Sequence, residues 1–195
     1  RMDRFADGFE AFLDERADVD KERCFAWVSM LCVDQREAYQ ARLEPVDWAS
    51  EFVDLIHSIG HTVVLFSPWC DATVLASIWC LWEVFVTAQR EGAALTVQLP
   101  AEDRRQLTRR LALGTATVPR LLDAVDVAGA RSRRAGLEKW VRMNVKVCGG
   151  AEKVNRVIRA ALRDALVLDP ARGAVQGGFD TLGEAALAAR STLRA

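Results

Sequence analysis

The sequence has no run of about 18 apolar residues, which excludes a membrane-spanning helix, and no recognisable secretory leader. It has no Cys-x-x-Cys pair. Its five cysteines (Cys24, Cys32, Cys70, Cys80 and Cys148) are an odd number, each in an apolar or helical setting. Neither a disulfide framework nor a zinc site is expected, but reduced, buried thiols in a reducing, cytoplasmic compartment. No sign of charge dominates: 26 basic against 27 acidic residues give a net charge of −1, so no nucleic-acid-binding face is expected. His57 and His61 are the two histidines, and Gly60 breaks the helix between them, so they make no metal pair. Gly149-Gly150 lacks the Gly-x-Gly-x-x-Gly pattern and follows no strand, so it is no dinucleotide fingerprint. No metal and no required cofactor are expected.

What is present is ordinary globular composition, 51% hydrophobic and 27% charged over 195 residues. Residues 2–15 read as an amphipathic helix through Met2, Phe5, Phe9, Phe12 and Leu13. Residues 24–33 form a nearly continuous apolar run that suits a strand buried on both faces. Residues 34–44 read as a loop. Pro45 opens a helix whose stripe is Trp48, Phe52, Leu55, Ile56 and Ile59, and Gly60 ends it. Thr62 to Phe66 is a β-branched strand, with Ser67-Pro68-Trp69 as its turn. A helix over about 74–91 and a strand over 94–99 follow. This alternation predicts βαβ units and a parallel sheet.

Beyond Pro100 the periodicity is helical, over 101–113, 118–127, 134–147 and 151–168. Val154, Val157, Ile158, Ala161, Leu162, Ala165 and Leu166 mark the core face of the last of these. The organisation read is an α/β domain over 1–168 with helices from about 101, a linker over 169–178 and a helical extension over 179–195. The chain opens on Arg1, and a fragment of a longer multidomain protein is expected.

Three motifs occur in order: Trp27-Val-Ser-Met-Leu-Cys-Val-Asp-Gln35, Ser58-Ile-Gly-His-Thr-Val-Val-Leu-Phe-Ser-Pro-Trp69 and Trp79-Cys-Leu-Trp-Glu83. Together they resemble the TIR-like domains of large protist and algal proteins, which often precede tetratricopeptide or kinesin-light-chain-type repeats. The first motif is also similar to heterokaryon-incompatibility domains. The resemblance covers roughly 5–167 for the protist group and 24–99 for TIR domains at large. It implies a flavodoxin-like (TIR-like) parallel sheet flanked by helices, and a signalling role through protein partners or self-association. It also implies a strand ahead of the first helix, which is expected to be missing here, so that the strands at 24–33 and 62–66 either pair directly or leave a gap.

In TIR enzymes the last residue of the third motif cleaves NAD⁺. Carried over, that residue is Glu83, with NAD⁺ as a possible substrate. Ser67 and Trp69, at the end of a strand, would lie on the ligand rim, and Trp79 would stack on a ligand ring. Breaking the nicotinamide–ribose bond builds positive charge on the ribose, which a placed carboxylate stabilises. Ser29, Asp34, Ile78 and Cys70 depart from the family pattern and imply a diverged copy.

Each feature also has a plainer reading. Glu83 shares a helix face with Ala76, Cys80, Thr87 and Arg90 and would then be part of a solvated stripe. Trp79 and Trp82 would be core anchors. The arginines at 104, 105, 109 and 110 would be a solvated face. The functions left open are an interaction module in a larger signalling protein, an NAD⁺ glycohydrolase using Glu83, and a non-functional fragment.

Overall fold

The computed structural model describes residues 2–16, 20–28, 45–71, 73–113 and 117–167. Its elements are α1 (Met2–Asp14), α2 (Pro45–Ile59), β1 (His61–Leu65), α3 (Ile78–Gln89), β2 (Ala94–Gln98), α4 (Ala101–Leu113), α5 (Thr117–Asp123), α6 (Ala135–Val147) and α7 (Ala151–Val167). Short 3₁₀ turns lie at Lys21–Arg23, Trp69–Asp71 and Thr73–Ala76. The fold is mixed α/β, mostly helical, with a two-stranded parallel sheet flanked by helices. Among the described residues no helix is long and apolar enough to cross a membrane.

The sheet follows from local chemistry. Gly60 takes φ 71°, a left-handed conformation that costs glycine no Cβ clash, and its N–H closes α2 on Ile56 O at 3.0 Å. The chain then extends through Thr62, Val63 and Val64, whose branching suits a pleated strand. The register pairs His61 with Ala94 and Leu65 with Gln98. Ala94 N–H donates to Gly60 O at 2.8 Å, and Phe66 N–H to Gln98 O at 2.9 Å. Parallel-ladder alternation therefore turns the backbone groups of Thr62 and Val64 toward β2, and those of Val63 and Leu65 toward the opposite edge.

Side chains alternate across the same strand. Thr62 reaches α3, where its Oγ1 lies 2.6 Å from Thr87 Oγ1. His61 reaches α1, its ring 5.7 Å from that of Phe12, and Leu65 lies against Gly8. Helices α1 and α3 thus cover opposite faces of β1. The Glu15–Arg104 ion pair ties the end of α1 to α4.

Helix α3 is the centre of the molecule. Ser77 caps it, its Oγ accepting Cys80 N–H at 3.3 Å. Ile78, Trp79, Leu81, Trp82, Val84, Phe85, Val86 and Thr87 are all buried. A helix apolar nearly all round is an interior helix, and α3 packs on α2, α6, α7 and both strands. Val154, Ile158 and Leu162 of α7 are fully buried at four-residue spacing, as the periodicity predicts. Asn155 beside them accepts Val127 N–H at 2.9 Å.

Three expectations change. The strand predicted over 24–33 is not formed where the chain is described: Cys24 to Val28 are in neither helix nor strand, and Phe25 is 93% exposed. Residues 29–33, the loop over 34–44, the linker over 169–178 and the extension over 179–195 lie outside the described residues. The helix expected over 74–91 begins as a 3₁₀ turn and becomes α-helical only from Ile78, after the Ser77 cap. The sheet has two described strands, so its parallel character is shown and the flavodoxin-like order is not.

Candidate functional site

Along the outer edge of β1 lies a cavity of about 370 Å³. Among the described residues its walls come from α1 and Arg16 just beyond it, residues 24–28, α2, β1, Glu83 of α3 and Gln98 of β2. Aromatic rings dominate the lining: Phe5, Phe9, Phe12, Phe25, Trp27 and Phe52. The rings of Phe5 and Phe9 are 6.3 Å apart, and those of Phe9 and Phe12 6.5 Å. Arg16, His61, Thr62, Glu83 and Gln98 supply the polar groups.

Glu83 reaches this cavity from the second turn of α3. Trp79 and Cys80, four and three residues earlier, lie over the same turn, and their polar side-chain groups favour the ionised form of Glu83. Burial pushes the Glu83 pKa up to about 7, and the nearby Trp79 and Cys80 side chains oppose that rise without cancelling it. The Cys80 thiol is pushed up to about 12, first by burial and then by the Glu83 charge. Cys80 is therefore a thiol at neutral pH and no nucleophile. Glu83 ionises close to neutrality, in surroundings that make each of its charge states consequential.

The solvated-stripe reading of Glu83 does not fit this geometry. Thr87, one turn on, is 2% exposed, and its Oγ1 donates to Glu83 O at 2.8 Å. The helix face carrying Cys80, Glu83 and Thr87 looks toward β1 and the cavity. Phe52 stands between the cavity and the base of α3, its ring 4.7 Å from Trp27 and 4.6 Å from Trp79. Trp79 is thus 8% exposed and packed on Phe52, and is not among the residues lining the cavity.

Ser67 and Trp69 lie elsewhere. Ser67 Oγ donates to Asp103 Oδ2 at 2.7 Å, and Trp69 N–H donates to Asp103 Oδ1 at 3.2 Å. The Trp69 indole donates to Gln106 Oε1 at 3.3 Å. These contacts fasten the Ser67–Pro68–Trp69 turn, whose Ser67–Pro68 bond is cis, to α4. Neither residue lines the cavity. The structure sets Glu83 and Trp79 one turn apart on α3 and ties Ser67 and Trp69 to α4 instead.

Sequence reasoning missed the lining residues Phe12, Arg16, Trp27, Phe52, His61 and Gln98 as a site. Their signal was present only as a helix stripe on α1 and α2, which reads equally well as plain core. Among the described residues no cluster of His, Cys, Asp and Glu has the makings of a metal site. Compared with family models, curated proteins and solved structures, the chain matches none of them.

Proposed function

We propose that this chain is a TIR-like domain that cleaves the nicotinamide–ribose bond of NAD⁺, with Glu83 as the working carboxylate. The observation that carries this reading is the placement of Glu83 in an aromatic-lined cavity, with its pKa raised to about 7. The cavity, about 370 Å³, lies at the small end of the range for ligand sites, roughly 300–1,000 Å³. It suits the nicotinamide–ribosyl end of the dinucleotide, leaving the adenosine end outside. The aromatic lining suits the pyridinium ring. Arg16, a cation among the described lining residues, would meet the diphosphate.

In the step proposed, the ribose C1′–nitrogen bond breaks and its electron pair stays on the pyridine nitrogen, giving neutral nicotinamide. The ionised Glu83 stabilises the positive charge that grows on the ribose. Water oxygen then bonds to C1′, and its proton passes to Glu83 and on to solvent. The products are nicotinamide, ADP-ribose and a proton.

The test is nicotinamide release by the full chain from NAD⁺, with and without a crowding agent that promotes assembly. Release that Glu83→Gln abolishes supports the mechanism. No release from the parent chain, or release that survives Glu83→Gln, overturns it.

A second reading, an interaction module acting by self-association or partner docking within a larger signalling protein, has its own support. The outward backbone groups of Val63 and Leu65 have no partner among the described residues, and Val63 is 38% exposed. Such a strand edge is a template for pairing with another chain. Concentration-dependent sedimentation that Val63→Pro abolishes supports it, and a strict monomer at high concentration counts against it. Both readings take the domain as cytoplasmic, in line with the free thiols of Cys24, Cys70, Cys80 and Cys148.

A further inference from the structure

A second surface has nothing to do with Glu83. Residues 131–146 contain Arg131, Arg133, Arg134, Lys139, Arg142 and Lys146 against the single acid Glu138, in a chain whose net charge is −1. Folding gathers part of this charge into a shallow groove along the outer face of α6, about 510 Å³, where Arg133, Glu138, Lys139, Arg142, Met143 and Lys146 are among the lining residues. The opposite face of α6 (Leu137, Trp140, Val141 and Val145) is buried in the core, so the groove has a rigid floor.

The charges in the groove divide into two sets. Arg142 is committed: it donates to Glu138 Oε1 at 2.9 Å, to Ala128 O at 3.0 Å and to Ala130 O at 2.9 Å. Glu138 is committed too, with its Oε2 accepting Ser132 N–H at 2.9 Å and Arg131 at 3.6 Å from its Oε1. These bonds and nearby cations hold the Glu138 carboxyl below the usual range. The side chains of Arg133, Lys139 and Lys146 make no hydrogen bond or ion pair among the described residues. Between them Met143 is 48% exposed, and Val147, one turn on, is 85% exposed.

We propose that this groove docks an acidic peptide segment that sets its carboxylates on Arg133, Lys139 and Lys146 and an apolar side chain on Met143. Charge complementarity selects the occupant: among the described lining residues the acid, Glu138, is neutralised internally, and the three remaining cations share one sign. From Ala135 to Lys146 the helix runs about 16 Å, room for three turns of a facing helix. A single-stranded nucleic acid is disfavoured because no aromatic ring among the described residues lines the groove to stack a base. A free phosphate would make no use of Met143.

Fluorescence anisotropy of the full chain with a labelled Glu-rich peptide carrying two leucines four residues apart tests this. The peptide should bind, and its affinity should fall with added salt. Lys139→Glu with Lys146→Glu should weaken it by about ten-fold or more, and Met143→Ser by about three-fold or more. These side chains are exposed, and an unchanged melting temperature certifies that each variant is folded. Affinity unmoved by the charge reversals overturns the proposal. So does a single-stranded oligonucleotide that outcompetes the peptide, or a Leu→Ser peptide that binds as well as the original.

Discussion

Ser67 and Asp103 are joined across 36 residues of sequence by a hydrogen bond of 2.7 Å between Ser67 Oγ and Asp103 Oδ2. Asp103 is 7% exposed, and its other oxygen accepts Trp69 N–H at 3.2 Å. One carboxylate therefore fixes the whole turn at the end of β1. Asp103→Ala leaves the Ser67 hydroxyl and the Trp69 N–H without this acceptor. The expected cost is about 2–3 kcal/mol in urea denaturation, with nicotinamide release by the folded fraction unchanged. A loss of release out of proportion to the loss of folded protein would return Ser67 and Trp69 to the site.

Ionisation of Glu83 couples to stability with a definite sign. Its folded pKa of about 7 lies above the ordinary value of 4.5, so the folded state holds the proton more tightly than the unfolded one. The contribution is fully present below pH 4.5 and is lost as pH rises through 7. The full difference is about 3 kcal/mol. Glu83→Gln keeps the shape and cannot ionise. The variant should exceed the parent in stability at pH 8.5 by about 2–3 kcal/mol more than at pH 5. Urea titrations at the two pH values measure this, and an equal difference at both would contradict the burial of the carboxyl group.

The cysteines should separate cleanly by alkylation. Cys70 is exposed, whereas the Cys80 thiol is partly buried and pushed up to about 12. Iodoacetamide at pH 8 should label Cys70 in the native protein and leave Cys80 unmodified until denaturant is added. Peptide mass spectrometry reads the order. Labelling of Cys80 as fast as Cys70 would show that α3 does not sit as described.

Phe52 bridges Trp27 and Trp79 at ring distances of 4.7 and 4.6 Å and is 4% exposed. Phe52→Ala should cost about 3–5 kcal/mol in stability and free the Trp79 indole to move. Phe52→Leu should cost about 1–2 kcal/mol and keep the cavity wall. Chemical denaturation with tryptophan fluorescence separates the two. Equal, small costs would mean that Phe52 does not anchor the wall.

The sequence is legible where local chemistry decides the outcome. Pro45 and Gly60 bracket α2, and Val154, Ile158 and Leu162 mark the inner face of α7 by spacing alone. The parallel pairing of β1 with β2 followed from their alternation with helices. Legibility fails where tertiary partners decide. Cys24 to Val28 form an apolar run with no period, which fits a buried strand or a wall segment equally well. Phe25, exposed at 93%, shows that apolar identity alone does not place a residue inside.

The site shows the same division. That Glu83 lies on one helix face with Cys80 and Thr87 is readable from a period of 3.6 residues. Whether that face meets water depends on α1 and α2, which are 69 and 24 residues away at their nearest ends. The roles of Ser67 and Trp69 were set by Asp103, more than 30 residues downstream, and no local pattern announces that partner.

The most direct test is a ¹³C titration of the Glu83 carboxyl, assigned by its loss in Glu83→Gln, in the full chain with and without nicotinamide mononucleotide. The placement of Glu83 predicts a midpoint near 7 that moves when the nucleotide is added. A midpoint near the ordinary 4.5, indifferent to the nucleotide, would contradict it.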